Sequence, residues 1–152
     1  QISQWQGTLK MAAAKRTAGV LLPELLSACV DLAVIASAEI RMLVETDRAK
    51  LTRDKADKGG DFDPQTVADL TSQHIIVDSL RAVWPKLQII GEEGALKPDP
   101  ALIRQPKLDM LSAFTADGGP KRAGWEAAWD SALAFSDLTV FVDPLDGTRE
   151  FT

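Results

Sequence analysis

The stretch LTVFVDPLDGT, residues 138–148, decides the expected fold. Residues 139–142 are all β-branched or aromatic, and such residues are typical of a buried strand. An acidic turn follows at once in residues 143–147. Because open α/β sheets place their ligands at the carboxyl ends of strands, the stretch predicts an α/β fold with an acidic site at one strand end.

The acidic turn has the composition of a site for a hard cation. Pro144 restricts its own φ, so Asp143 and Asp146 can point to one side, and the carbonyl of Leu145 adds a third oxygen. Mg²⁺ prefers oxygen ligands of this kind. Gly147 lets the backbone approach an anion closely, and a helix beginning there would offer free N–H groups to a phosphate. The alternative is a surface turn, since Asp, Pro and Gly are common turn residues, but the apolar strand before the motif argues against it.

A second apolar run is followed by two further carboxylates. Residues 87–90 read as a short buried strand, and Glu92 and Glu93 come directly after it in the sequence GEEG, residues 91–94. Adjacent glutamates alone are usually surface charges. Their place after a strand makes them candidates for the same site as Asp143.

Two long helices are predicted upstream of the strands. Apolar residues recur at spacings of three and four over residues 23–45 and again over 63–84. Asp63 and Pro64 have the residue types of an N-cap and a first helical position. The charged residues between the helices, 47–60, predict a solvated turn or a short edge hairpin.

The domain expectation follows from this order of elements. Residues 1–21 are expected to form an N-terminal extension, and 22–152 an α/β portion with two long helices packed on a sheet. Residues 95–137 interrupt it as an insertion that contains four prolines, which predicts an irregular loop. A short helix is expected after that loop, with a packing stripe of Trp125, Trp129 and Leu133.

Composition excludes several classes of protein. The chain has 152 residues, 45% of them hydrophobic, which fits a single domain or a fragment of one rather than a disordered chain. A net charge of −5 argues against a nucleic-acid partner. Charged residues interrupt the longest apolar stretch, so no bilayer span or membrane partner is expected. Cys29 is the only cysteine, which excludes an intrachain disulfide and favours a cytoplasmic location.

Three motifs in order carry a family resemblance. The sequences DPQTVAD at 63–69, GEE at 91–93 and DPLDGT at 143–148 resemble the inositol monophosphatase-like superfamily of Mg²⁺-dependent, lithium-sensitive phosphatases. Residues 84–93 and 141–152 look most similar to its 3'(2'),5'-bisphosphate nucleotidase branch. The resemblance implies the N-terminal part of the layered α/β/α/β sugar-phosphatase fold.

The resemblance also implies a metal site. Glu92, Asp143, Asp146 and the carbonyl of Leu145 would hold two or three Mg²⁺ ions. Family members are longer and take one more aspartate, which follows a tryptophan, from the C-terminal half absent from this chain. Asp130 follows a tryptophan too, but it lies upstream of Asp143 and inside the insertion, so we do not assign it to the metal.

The remaining carried-over roles are catalytic. Asp69 and Thr148 would activate the attacking water, and the amides of Gly147 and Thr148 would hold the substrate phosphate. His74 is the only histidine, and we interpret it as structural.

The implied function is a Mg²⁺-dependent phosphomonoesterase. It would remove the 3'-phosphate of adenosine 3',5'-bisphosphate by attack of metal-activated water, giving AMP and phosphate. Two alternatives stay open. The substrate would instead be an inositol polyphosphate or monophosphate, or the chain would be an inactive N-terminal fragment that acts only as the partner of a separate C-terminal half.

Overall fold

The computed structural model describes residues 19–46, 52–54, 64–111 and 131–143. Its helices are α1 (Leu22–Glu45) and α2 (Val67–Val83). Its strands are β1 (Thr52–Asp54), β2 (Pro64–Thr66), β3 (Gln88–Gly91) and β4 (Thr139–Val142). The two helices pack on a small parallel sheet, which confirms the α/β expectation.

Helix α1 lies within one residue of its predicted bounds. Pro23 is in its first turn, where a missing N–H costs no hydrogen bond. The helix buries the side chains of Leu25, Ala28, Leu32 and Ala36, which recur every three or four residues on one face. At its end Thr46 donates its backbone N–H to the carbonyl of Met42 at 3.1 Å. The apolar spacing alone therefore located this helix.

Helix α2 begins four residues later than predicted. Pro64 does not open it; the strand β2 that it begins pairs antiparallel with β1. Val67 is the first helical residue and Thr66 is the N-cap. Thr66 and Asp69 form a capping box, which satisfies two N–H groups that have no partner within the helix. The expectation of an Asp63 cap was wrong because strand pairing with residues 52–54 holds 64–66 extended.

The two apolar runs form the predicted strands, and they pair side by side. Strand β3 and strand β4 are parallel, with Gln88 opposite Thr139 and Gly91 opposite Val142. Parallel neighbours need a long connection, which residues 92–138 provide. Parallel pairing also places the carboxyl ends of both strands at the same edge of the sheet.

The core lies where α1, α2 and the strand β3 meet. Trp84, at the end of α2, is fully buried, as are Leu32 and Ile75. Burial of side chains this large stabilises the fold by about 1.5–3 kcal/mol each. Trp84 donates its backbone N–H to Leu80 and accepts that of Leu87, so the chain turns directly from the helix into β3.

Residues 95–111 have no helix or strand, as the prolines predict. They nevertheless lie along both helices, because buried helix side chains accept four of their backbone N–H groups. The pairs are Asp99 to Asp78, Arg104 to Ser79, Lys107 to Asp31 and Leu111 to Ser27, at 2.8–3.1 Å.

The later part of the insertion departs from expectation at Leu133. This residue does not lie on a helix; it forms an isolated antiparallel bridge with Val20, with backbone hydrogen bonds of 2.8 and 2.9 Å. Trp125, Trp129 and Asp130 lie outside the described residues.

One face of the parallel sheet is exposed and carries two large apolar side chains beside Gln88 and Thr139. Ile90 and Phe141 are register partners, and they are 54% and 75% exposed. The opposite face packs Ile89 and Val140 against the core. Within the described segments, no helix combines the length and the apolar character that a bilayer crossing requires.

Candidate functional site

Two predicted site residues lie at the neighbouring ends of β3 and β4. The Glu92 N–H donates to the carbonyl of Val142 at 2.9 Å, which extends the strand pairing by one step. Asp143 is the residue after Val142, and so it lies next to Glu92 across a strand spacing of about 4.8 Å. Both residues are exposed. The sheet therefore presents two carboxylates from different strands at one accessible edge.

The residues after β3 form a tight turn. The Gly94 N–H donates to the carbonyl of Gly91 at 3.1 Å. Gly94 has a φ of 73°, a conformation that glycine adopts without the steric cost that a side chain would bring. Glu92 and Glu93 lie between the two glycines, so the geometry of this turn sets where their carboxylates lie.

The side chain of Gln73 in α2 binds the backbone of this turn. Its Nε2 donates to the carbonyl of Gly94 at 3.0 Å, and its Oε1 accepts the Glu93 N–H at 2.9 Å. The side chain is almost completely buried. Gln73 was not predicted as a site residue, although an amide side chain four residues after Asp69, on the same helical face, was a usable signal.

Asp69 is the predicted catalytic carboxylate, and it is fully buried. Its Oδ2 accepts the backbone N–H of Thr66 at 2.7 Å and the Thr66 hydroxyl at 2.6 Å. It lies one turn before Gln73, about 6 Å along the helix axis. Asp69 is thus a hydrogen-bonded, oriented carboxylate on the helix face that also holds the glutamate turn.

Thr66 is a second residue that sequence analysis did not assign. It is fully buried, and its hydroxyl both donates to Asp69 Oδ2 and accepts the Asp69 N–H at 3.3 Å. The pattern Thr-x-x-acid before an apolar run is the sequence signature of a capping box, and it was available in residues 66–69.

A cavity of about 200 Å³ adjoins the turn, between α2 and β3. It shares Gln73, Gly91 and Gly94 with the turn, and His74 and Asp78 also line it. The Nδ1 atom of His74 lies 2.9 Å from Asp78 Oδ2, the oxygen that accepts the Asp99 N–H. The histidine is therefore part of the packing of residues 95–111 on α2.

The donor set at the strand ends fits Mg²⁺. This ion is usually held by one or two carboxylates, with water and substrate phosphate in its other positions. Glu92 and Asp143 are two such carboxylates at an edge open to both. In the part of the chain that the structure describes, no three His, Cys, Asp or Glu side chains converge on one point. Leu145, Asp146, Gly147 and Thr148 lie outside the described residues.

Comparison with known proteins places the chain in a family. A family model described as inositol monophosphatase family matches residues 21–152. The chain is 34% identical over 131 residues to 3'(2'),5'-bisphosphate nucleotidase 1 of Dictyostelium discoideum, covering 85% of this chain and 38% of the relative. It is 38% identical over 92 residues to the protein of that name in Homo sapiens, covering 59% and 27%.

An inositol monophosphatase 3 of Danio rerio is also similar. It is 28% identical over 140 residues, which is 91% of this chain and 37% of the relative. The chain therefore spans between about a quarter and two fifths of the length of these relatives.

Proposed function

The chain belongs to the inositol monophosphatase family, and from that premise we propose that the protein is a Mg²⁺-dependent phosphomonoesterase. Its proposed reaction removes the 3'-phosphate of adenosine 3',5'-bisphosphate to give AMP and phosphate. The observation that carries the proposal is the pair Glu92 and Asp143, side by side where two parallel strands end. The names of the nucleotidase relatives support the choice of substrate.

In this proposal the chain supplies oxygen ligands for two or three Mg²⁺ ions. Glu92, Asp143, Asp146 and the carbonyl of Leu145 would hold the ions. Bound Mg²⁺ supplies Lewis acidity that makes water a better nucleophile and offsets charge on the phosphoryl oxygens. Carboxylates gathered at one point repel one another, and a bound cation would offset that repulsion.

Asp69 is proposed as the final acceptor of the water proton. The proton passes by way of the Thr148 hydroxyl to Asp69 as the oxygen of the water attacks phosphorus. The bond from phosphorus to the 3'-oxygen breaks, and that oxygen takes up a proton from solvent water to become the 3'-hydroxyl of AMP. Thr66 keeps the Asp69 carboxylate in one orientation through two short hydrogen bonds. The amides of Gly147 and Thr148 donate to the phosphoryl oxygens.

An inositol phosphate is the second candidate substrate. The similarity to an inositol monophosphatase 3 extends over 91% of the chain, more than for the nucleotidase of Dictyostelium discoideum. The residues proposed above to bind the metal and the phosphate would serve either substrate, because both substrates are phosphate esters. The adenosine or inositol moiety would be selected elsewhere in the protein.

We propose that a C-terminal half of the same protein completes the enzyme. The chain covers only 38% and 27% of the length of the two nucleotidase relatives, so those relatives contain sequence beyond the matched part. The open face at Ile90 and Phe141 is a surface that such a half would cover. It would also supply a further metal ligand and the contacts to the substrate's sugar or inositol.

A cytoplasmic location is part of the proposal. Cys29 is the only cysteine, and burial raises the pKa of its thiol, so it suits a packing role in a reducing compartment. Subcellular fractionation of cells that express the tagged full-length protein would test this location.

Phosphate release tests the function. The full-length protein is assayed with adenosine 3',5'-bisphosphate, inositol 1-phosphate and inositol 1,4-bisphosphate, with and without Mg²⁺ and with added Li⁺. We expect Mg²⁺-dependent, Li⁺-inhibited release that is fastest from the nucleotide. Faster release from an inositol phosphate would select the second substrate, and no Mg²⁺-dependent release from any of the three would contradict the enzyme.

The same assay also tests the alternative that the chain is an inactive fragment that acts only as the partner of a separate C-terminal half. The 152-residue chain is tested alone and with a separately expressed C-terminal half. Activity only in the mixture would show that the chain contributes half of a site. Full activity of the chain alone would contradict the proposed need for a second half.

A further inference from the structure

A buried side chain of α2, that of Gln73, binds the turn that carries Glu92. Gln73 lies 20 and 21 residues before the backbone groups it binds, and it is the side chain of α2 that reaches both of them. One orientation of its amide satisfies both contacts, because Oε1 must face the Glu93 N–H and Nε2 must face the Gly94 carbonyl. The amide therefore matches the turn in chemistry as well as in reach.

Gly91 shows how closely Gln73 lies against the turn. A Cβ atom on Gly91 would come within 2.4 Å of the Gln73 Cδ and Oε1 atoms. Gly91 has no positive φ, so its backbone would accept alanine. A side chain at residue 91 would therefore have to displace the Gln73 amide from the turn.

We propose that Gln73 is a positioning residue that sets the Gly91–Gly94 turn, and with it Glu92, for cation binding. This inference rests on the proposed function, in which Glu92 is a Mg²⁺ ligand. Gln73 lies behind the turn and acts through its backbone. Residues that orient a metal ligand in this way typically affect metal affinity by about 10–100-fold when they are changed.

Substitutions that remove one or both of the hydrogen bonds of Gln73 should weaken Mg²⁺ binding to different extents. Gln73→Met keeps the length and removes both the donor and the acceptor. Gln73→Glu keeps an acceptor for the Glu93 N–H and loses the donor to the Gly94 carbonyl. We therefore expect the Met variant to have the larger effect and the Glu variant an intermediate one.

Ser79→Ala is the matched control. Ser79 is also a buried residue of α2 whose side chain accepts a loop N–H, that of Arg104 at 2.8 Å. Its side chain makes no hydrogen bond to the turn of Gly91–Gly94. A general loss of stability from an unpaired loop N–H would appear in both variants, whereas a change at the turn would appear only at Gln73.

The experiment uses the full-length protein and three readouts. They are hydrogen exchange of the Glu93 amide without metal, Mg²⁺ affinity by calorimetry, and the Mg²⁺ concentration that gives half-maximal phosphate release. We expect Gln73→Met to speed exchange at Glu93 several-fold and to weaken Mg²⁺ binding by about 10–100-fold, with kcat at saturating Mg²⁺ less affected. Ser79→Ala should leave all three unchanged.

Gly91→Ala supplies an independent route to the same state. The added methyl displaces the Gln73 amide, so this variant should weaken Mg²⁺ binding to a similar extent. In the double variant Gly91→Ala and Gln73→Met, the two effects should not add, because they remove the same contact.

The outcomes separate this inference from the proposed function. A folded Gln73→Met protein with wild-type exchange at Glu93, or with wild-type Mg²⁺ affinity, would overturn the positioning role. Additive effects in the double variant would do the same. A wild-type protein that binds Mg²⁺ and releases no phosphate would instead overturn the phosphatase proposal and leave the positioning result to be decided by exchange and calorimetry.

Discussion

The turn at 91–94 and the segment 99–111 are both irregular, and helix side chains hold both, but by different chemistry. The turn is held by Gln73, which donates and accepts. The segment is held by side chains that only accept its N–H groups: Ser27, Asp31, Asp78 and Ser79. The first two turns of helix α2 therefore carry residues of the proposed site, and its later turns carry residues that anchor the segment.

The carboxylates also fall into two groups, those that anchor the segment 99–111 and those at the proposed site. Asp31 and Asp78 are buried, and each accepts a backbone N–H of the segment. A buried charge is costly unless it is hydrogen-bonded, so these two groups contribute to stability. Glu92 and Asp143 are exposed at the strand ends, where a cation and water can reach them. Asp69 is the exception, because it is buried and still belongs to the proposed site.

The largest expected effect tests the site side of this comparison. Asp143→Asn should lower Mg²⁺-dependent phosphate release by more than the roughly 100-fold that changes behind a metal ligand cause. The free energy of unfolding should change by less than about 0.5 kcal/mol, because the residue is exposed. Asp109→Asn, at an exposed residue of the segment, is the control for both measurements. Near-normal turnover of Asp143→Asn at saturating Mg²⁺ would remove Asp143 from the ligand set.

Asp78→Ala tests the stability side. It leaves the Asp99 N–H without its acceptor and removes the partner of His74, so we expect a loss of about 2–3 kcal/mol in the free energy of unfolding. Urea unfolding of the full-length protein measures this loss. The rate of phosphate release per folded molecule should not change. A fall in kcat without a loss of stability would contradict the proposal that the later turns of α2 serve stability and not the site.

Thr66→Val tests the role of Asp69, the buried carboxylate that belongs to the proposed site. The valine keeps the shape and removes the hydroxyl, so the capping box is lost at a cost of about 1–2 kcal/mol. We also expect kcat to fall by about tenfold, equivalent to roughly 1.4 kcal/mol, because Asp69 loses its orientation. Thr66→Ser keeps the hydroxyl and should retain both properties. Stability loss with an unchanged kcat would make Thr66 a helix cap and nothing more.

Ser79→Ala has the smallest expected effect. It removes one neutral acceptor from the segment, and we expect a loss of about 1 kcal/mol in the free energy of unfolding. Ser136→Ala, at an exposed serine, should be close to neutral. If Ser79→Ala costs as much as Asp78→Ala, the charge of Asp78 does not strengthen the anchoring.

Local patterns in the sequence determined much of the fold. The apolar spacing of α1 and the β-branched run of β4 are properties of consecutive residues, and the structure confirms both elements within about one residue. Placing Glu92 and Asp143 at strand ends likewise needed only their position after an apolar run. The roles assigned to Asp69, Leu145, Asp146, Gly147 and Thr148 came from the family resemblance, and they remain predictions.

Tertiary structure decided what depends on residues far apart in the chain. The start of α2 at Val67 follows from the pairing of β2 with β1, and the parallel register of β3 with β4 sets Glu92 beside Asp143. Gln73 meets its turn across 20 residues, and Asp31 meets the Lys107 N–H across 76. Periodicity in a sequence records which face of an element is apolar. It does not record which distant backbone group a buried polar side chain will bind, because that choice is made only when the elements pack.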